Sequence, residues 1–329
     1  MKLAIIGGGS WGTALAIVLA PRSEFLRLWV YEPDLAERMA RSRQNDAFLP
    51  GFTVPDSVEI VHELAAALEG ADIVLGVMPS HHARTIYSAM LPHLAPSMIL
   101  VSATKGLEQG SMLRMSQVIE QVTPTAGRVA VLSGPTFARE VAAGNPTAVV
   151  IASSNPDVAR CVQEAFSGPS LRLYTNQDPT GVEVGAALKN VIAIGAGICA
   201  GLGLGHNPTA ALITRGLAEI TRLAIAMGGQ AKTLSGLAGM GDLVLTCTGD
   251  LSRNQYVGKE LGRGRKLSEI LGSMRMVAEG VETCGAAVAL GAKFGMDLPI
   301  IQQMDAVMAD KKTPQDAVRE LMDRALKGE

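Results

Sequence analysis

Leu3-Ala4-Ile5-Ile6-Gly7-Gly8-Gly9-Ser10-Trp11-Gly12 is the stretch that decides the fold. Residues 3–6 read as an apolar strand and residues 11–20 as a helix, so the glycines lie between the two. In the pattern G-x-G-x-x-G, Gly7 allows the tight turn, Gly9 lets a pyrophosphate approach the backbone, and Gly12 lets the helix pack close to the strand. The phosphates would then meet a helix N-terminus, where free N–H groups and the dipole favour anions. A ligand-free glycine turn is the bland alternative. The position of the motif, at the first strand of a βαβ unit, favours dinucleotide binding.

Outward from this loop, short apolar or β-branched runs alternate with helical patterns. Strands are expected at 26–31, 58–61, 72–77, 98–102, 129–132 and 148–151, with a charged helix at 34–43. Such alternation implies βαβ units and a mostly parallel sheet. After Asp178 the runs become long and helical, at 182–202, 208–227, 281–294 and 313–326, with no comparable strand. The expected fold is therefore α/β: a Rossmann-like doubly wound sheet over 1–180, followed by an all-α domain over 181–329. The polar segment Thr175-Asn176-Gln177-Asp178-Pro179 marks the passage between them. There is no repeat of 20–50 residues.

Composition narrows the function. The 329 residues carry 31 acidic and 29 basic side chains, a net charge of -2, and 48% hydrophobic residues. Nucleic-acid binders usually show a basic face, and disordered chains lack this much apolar material, so neither class is expected. The four cysteines lie far apart in sequence, so no zinc or redox pair and no metal site is expected. Free thiols in a reducing cytoplasm are the plain reading. Lys2 and the apolar start resemble an export signal, but Gly7-Gly8-Gly9 interrupts the run. Residues 190–214 lack Asp, Glu, Lys and Arg, yet five glycines, His206, Asn207 and Pro208 leave no clean apolar run, so no membrane span is expected. Glycine is abundant, with 36 residues, 13 of them from Gly181 to Gly241, where small residues would let helices approach closely.

The 2′ end of a dinucleotide is read after the second strand, at Tyr31-Glu32. Glu32 lies 25 residues past Gly7, close to where an acid bonds the ribose 2′-OH of NAD. No arginine adjoins it to receive a 2′-phosphate, although Arg38 follows on the next helix. A solvated strand-end acid, or a cap for the helix beginning at Pro33, is an equal alternative.

Three further segments place polar groups in apolar surroundings. Ser102-Ala103-Thr104-Lys105-Gly106 follows an apolar strand, where open α/β sheets bind ligands. Lys189-Asn190 interrupts an apolar helix. An unpaired buried lysine is costly, and burial lowers its pKa into a range useful for acid–base work. A lysine that snorkels to the surface is the alternative. Gly239-Met240-Gly241-Asp242 supplies a carboxylate that could pair with Lys189. Arg253, between Ser252 and Asn254, suits an oxyanion such as phosphate, though Ser252 and Asn254 also suit helix capping.

Together these residues resemble the bacterial NAD(P)-dependent glycerol-3-phosphate dehydrogenase family. The resemblance spans essentially the whole chain. It rests on Gly7-Gly8-Gly9-Ser10-Trp11-Gly12-Thr13-Ala14-Leu15-Ala16, Leu49-Pro50-Gly51, Ala103-Thr104-Lys105-Gly106-Leu107, Leu132-Ser133-Gly134-Pro135-Thr136-Phe137-Ala138, Leu188-Lys189-Asn190-Val191, Gly239-Met240-Gly241-Asp242-Leu243 and Ser252-Arg253-Asn254. It implies reversible hydride transfer between dihydroxyacetone phosphate and sn-glycerol 3-phosphate, with NAD or NADP as cofactor. It implies Lys189 as general acid/base, with Lys105, Asp242 and Asn190 as partners and Thr246 as a further member. It maps substrate contacts onto Lys105, Gly134, Thr136, Lys189, Asp242, Ser252, Arg253 and Asn254. Cofactor contacts map onto Ser10, Trp11, Lys105, Ala138, Arg253, Val277 and Glu279. Many relatives carry a basic residue near Tyr31; here Tyr31-Glu32 points to NAD or to dual use.

By the same resemblance the chain would serve glycerophospholipid synthesis in the cytoplasm. Its partner would be a small molecule, and a homodimer is left open. The competing readings are a ketopantoate reductase or β-hydroxyacid dehydrogenase, and an inactive nucleotide-binding sensor. Gly239-Met240-Gly241-Asp242 and Ser252-Arg253-Asn254 weigh against the first two. The presence of Lys105, Lys189 and Asp242 weighs against the third.

Overall fold

The computed structural model describes residues 1–123, 127–274, 277–326 and 328. Ten strands are present among them: β1 (Lys2–Ile6), β2 (Phe25–Trp29), β3 (Gln44–Asn45), β4 (Leu49–Thr53), β5 (Val58–Val61), β6 (Ile73–Gly76), β7 (Ile99–Ser102), β8 (Val129–Ser133), β9 (Thr147–Ala152) and β10 (Leu171–Asn176). Eight of them form one sheet in the order β10-β9-β8-β7-β6-β1-β2-β5. All its pairings are parallel except β8 with β9. Strands β6, β7 and β8 are buried throughout, as a sheet covered on both faces requires. β3 and β4 form a separate antiparallel ribbon.

The expected strands are all present, with ends shifted by a residue or two. β10 was not expected. Its buried and exposed positions alternate, with Arg172 and Tyr174 facing out. An edge strand needs only one apolar face, so it lacks the continuous apolar run that marks the inner strands. It ends at Asn176, so the first part of the polar passage 175–179 belongs to the sheet.

The strand order reverses between β1 and β6, the crevice where open α/β sheets bind ligands. Gly7 leaves β1 at this point, Lys105 follows β7, and Gly134 follows β8. The topology alone therefore brings three separated segments to one edge.

The helical half is built around Pro179–Gly201. Its start is set by Pro179 in the first turn and by Asp178, whose side chain accepts from Gly181 N at 2.8 Å. Asp178 also accepts from Gln230 N at 2.8 Å. The helices His206–Ala226, Asp242–Thr248, Arg253–Gly262, Glu279–Lys293 and Pro299–Met308 pack around it. Pro179–Gly201, which begins eleven residues before the stretch 190–214, is by length and composition long and apolar enough to cross a membrane. Within the fold nearly all of it is buried by its neighbours.

Glycine permits that packing. A Cβ on Gly258 would lie 1.9 Å from Ile194 O, and one on Gly197 would lie 2.1 Å from Gln255 O. The two helices thus meet backbone to backbone, closer than any side chain allows. Gly258→Ala should lower unfolding stability by about 1–3 kcal/mol. Gly285→Ala, on an exposed helical face with nothing within 4 Å, should raise it by about 0.5–1 kcal/mol. Urea unfolding of both variants checks the contrast.

Candidate active site

The glycine loop has the geometry its motif requires. Gly7 takes φ +128, and a Cβ there would strike Val77 O at 2.7 Å. A Cβ on Gly12 would lie 1.9 Å from Gly7 O, so the helix Ser10–Leu19 packs directly on the turn. A Cβ on Gly9 would meet nothing within 4 Å. Gly9 is also the N-cap of that helix, and no side chain caps it. The buried indole Nε1 of Trp11 has no hydrogen-bond partner among the described residues, and Trp11 and Ala138 both pack against the cluster of Ala14, Leu49 and Val141. An open cradle, an uncapped helix N-terminus and an orphaned donor together fit a dinucleotide phosphate.

Tyr31 and Glu32 lie at the far end of this crevice, past β2, away from the lysines. Tyr31 is exposed, with its ring edge-on to Trp29. Glu32 occupies the N-cap position of Pro33–Ser42 but makes no side-chain cap bond, so the capping alternative lacks its hydrogen bond. Arg38 pairs with Asp46 at 3.3 Å rather than with Glu32.

Two lysines from different halves converge on one carboxylate. Asp242 is 1% exposed and accepts from Lys105 Nζ at 2.8 Å and from Lys189 Nζ at 3.0 Å. It opens the helix Asp242–Thr248 just after a π-helical turn over Leu237–Gly241. Such turns often occur at functional sites. Thr246, one turn on, donates to Asp242 O at 2.6 Å and accepts from Lys189 Nζ at 2.7 Å. Lys189 is therefore buried and paired, not snorkelling.

The two ammonium groups differ in one respect. Each carries three N–H donors. Those of Lys105 all have acceptors: Asp242 Oδ2, Gly134 O at 2.9 Å and Thr136 Oγ1 at 3.2 Å. Among the described residues, Lys189 has Thr246 as hydrogen-bond acceptor and Asp242 as ion-pair partner, which leaves at least one N–H open to a ligand. Burial pulls the Lys189 pKa down to about 8, against the pull of Asp242 and with help from the like charge of Lys105.

Around this core, Asn190 Oδ1 accepts from Asn254 Nδ2 at 3.0 Å, and Asn254 Oδ1 accepts from Gly280 N at 2.9 Å. This chain ties the central helix to two others. Ser252 caps Arg253–Gly262 by accepting from Gln255 N at 3.2 Å, as its capping alternative requires. Arg253 is exposed and donates from Nη1 to Val277 O at 2.9 Å, leaving further donors for an anion. Burial pushes the Glu279 carboxyl up to about 7, opposed by Arg253, Lys189 and Lys105. The structure thus joins Lys105, Gly134, Thr136, Lys189, Asp242 and Thr246 in one bonded cluster, with Glu279 within reach of the charge of its lysines and the Asn190–Asn254 pair starting one residue along the helix from Lys189. Ser252 is buried, whereas Arg253 and Val277 are exposed.

The sequence reading missed Glu183. It is buried in the first turns of the central helix, pairs with Arg114, and accepts from Ser116 N at 2.7 Å. This contact pins the sheet half to the helix that carries Lys189. The signal was available: Val182-Glu183-Val184 breaks an apolar helix just as Lys189 does.

Comparison with known proteins follows this geometry. The model of the NAD-dependent glycerol-3-phosphate dehydrogenase N-terminus matches residues 2–159, and that of its C-terminus matches residues 178–319. The chain belongs to this family. A curated relative from Koribacter versatilis (strain Ellin345), named glycerol-3-phosphate dehydrogenase (NAD(P)+), is 58% identical and covers 98% of this chain and 97% of its own. A relative of the same name from Syntrophotalea carbinolica (strain DSM 2380 / NBRC 103641 / GraBd1) is 52% identical, covering 100% of this chain and 99% of its own. The crystal structure of glycerol-3-phosphate dehydrogenase from Coxiella burnetii superposes with a TM-score of 0.94 at 40% identity, covering 98% of each chain. A ketopantoate reductase from Ralstonia eutropha JMP134 reaches 0.63 at 18% identity, covering 97% of this chain and 100% of its own, and shares the fold alone.

Among the described residues, Asp242 is the one carboxylate paired with both lysines, so Asp242→Asn should lower the Lys189 pKa further below about 8. NMR titration of the lysine amines in the variant and the parent measures this shift.

Proposed function

We propose that this chain interconverts dihydroxyacetone phosphate and sn-glycerol 3-phosphate by reversible hydride transfer, with NAD or NADP as cofactor. One observation carries the reading. A buried lysine of lowered pKa, fixed by a carboxylate and a hydroxyl, keeps at least one N–H without an acceptor among the described residues. A bound nicotinamide supplies the hydride in one direction and takes it up in the other. The protein supplies the rest.

In ketone reduction, negative charge grows on the carbonyl oxygen at C2. The Lys189 ammonium stabilises that charge and donates the proton. In alcohol oxidation, neutral Lys189 removes the hydroxyl proton. Asp242 and Thr246 hold the amine in place. Lys105, with all its donors engaged, acts as a fixed positive charge rather than as the proton donor. Arg253 clamps the phosphate, with Ser252 and the second Nδ2 hydrogen of Asn254 beside it, so binding energy remote from C2 serves the reaction. Gly9, Ser10 and Trp11 hold the cofactor phosphates, with Ala138, Val277 and Glu279 flanking the cofactor. Exposed Glu32 favours the 2′-hydroxyl of NAD.

The substrate partner is a small molecule. The helix Pro179–Gly201 serves as the core of a soluble cytoplasmic enzyme, and the division into 1–180 and 181–329 sets the glycine loop in one part and Lys189 in the other, with the reaction between them. The product would feed glycerophospholipid synthesis.

Adding dihydroxyacetone phosphate to the chain with NADH or NADPH should cause loss of absorbance from the reduced cofactor. Absence of any oxidation by folded protein would rule out the activity. Lys189→Met should reduce turnover by roughly 10²–10⁴-fold while cofactor affinity stays near that of the parent. Reduction should fall as pH rises through about 8, because it needs the ammonium, whereas oxidation should rise over the same range. Arg253→Ala should raise the KM for dihydroxyacetone phosphate and leave that for unphosphorylated dihydroxyacetone unchanged. Steady-state kinetics with both ketones tests this.

A further inference from the structure

A side chain outside every motif quoted above controls the glycine loop. Asn45, from the ribbon strand β3, is fully buried. Its Nδ2 donates to Gly8 O at 2.7 Å and to Thr13 Oγ1 at 2.8 Å. Its Oδ1 accepts from Phe48 N at 2.9 Å. The network allows one orientation of the amide. Phe48 N–H requires the oxygen and Gly8 O requires the nitrogen.

The consequence lies in the next peptide. In a planar trans peptide the C=O and N–H point in opposite directions. With Gly8 O drawn inward by Asn45, the N–H of Gly9 must point outward. The loop surface is open there, since a Cβ built on Gly9 would meet nothing within 4 Å. Gly8 cannot relax by moving deeper, because a Cβ there would already meet Val30 at 2.7 Å. Thr13 sits on the first turns of Ser10–Leu19, so the same amide also fixes the loop against its helix.

We propose that Asn45 is a positioning residue for the cofactor pyrophosphate: by holding Gly8 O it aims the Gly9 N–H at the anion. The inference rests on the dinucleotide reading given above. It touches neither Lys189 nor the substrate pocket, so its effect should fall on cofactor affinity and not on the chemical step.

Asn45→Asp tests it. The carboxylate keeps the acceptor for Phe48 N but cannot donate to Gly8 O, and it sets oxygen against oxygen. Calorimetric titration should show the Kd for ADP-ribose, which contains the pyrophosphate, rising at least ~10-fold. The Kd for adenosine, which lacks it, should stay within about 2-fold of the parent. The KM for NADH should rise, and kcat at saturating NADH should hold. Thr13→Val, which removes the second acceptor without changing size, should raise the ADP-ribose Kd by about 3-fold, and it serves alone if Asn45→Asp does not fold.

A lowered melting temperature with an unchanged ratio of ADP-ribose to adenosine affinity would mark a purely structural role and overturn the assignment. Unchanged ADP-ribose affinity in a folded variant would overturn it too. A parent chain that binds neither NADH nor ADP-ribose would overturn the dinucleotide reading itself, and this inference with it.

Discussion

One buried carboxylate must serve two ammonium groups. Asp242, at 2.8 Å from Lys105 and 3.0 Å from Lys189, is buried with Lys189, while Lys105 keeps a small part of its surface exposed. Neither lysine could be held there alone at tolerable cost, and the two together would repel without the aspartate. The surrounding architecture can be understood as meeting this demand. The π-helical turn sets Asp242 at the head of its helix. Glycine at the helix contacts lets backbone come close enough to exclude solvent. The Glu183–Arg114 pair and the Asn190–Asn254 pair keep the contributing elements in register.

Much of this was legible from residue patterns because burial and polarity conflict visibly in sequence. Lys189 stands out within an apolar helix, and the glycine loop stands out between a strand and a helix. Asp242 was expected as the partner of Lys189, and that contact is present. What remained hidden was of two kinds. β10 was missed because an edge strand with one apolar face resembles a loop when continuous apolar runs are sought. Asn45 could not be found, because it sits in the polar run Arg43-Gln44-Asn45-Asp46 and its burial depends on the ribbon folding over the glycine turn. A polar residue among polar neighbours carries no local sign of being interior.

The difference between Lys105 and Lys189 was likewise invisible before the contacts were known. Both are lysines next to small or apolar residues. Their roles separate by counting donors: one ammonium is fully engaged and the other is not. What sets the two ammonium groups apart is thus that Gly134 O and Thr136 Oγ1 accept from Lys105. These acceptors come from a loop far from both lysines in sequence.

The bridge from Lys105 to Asp242 also crosses between the sheet half and the helical half. Any parting of the halves would take Lys105 from the neighbourhood of Lys189, and with it a charge that depresses the affinity of Lys189 for its proton. Lys189 would then hold that proton more tightly in an open molecule and yield it more readily in a closed one. Closure would thereby act as a timing device, in which enclosing a ketone and readying the proton for it are a single movement.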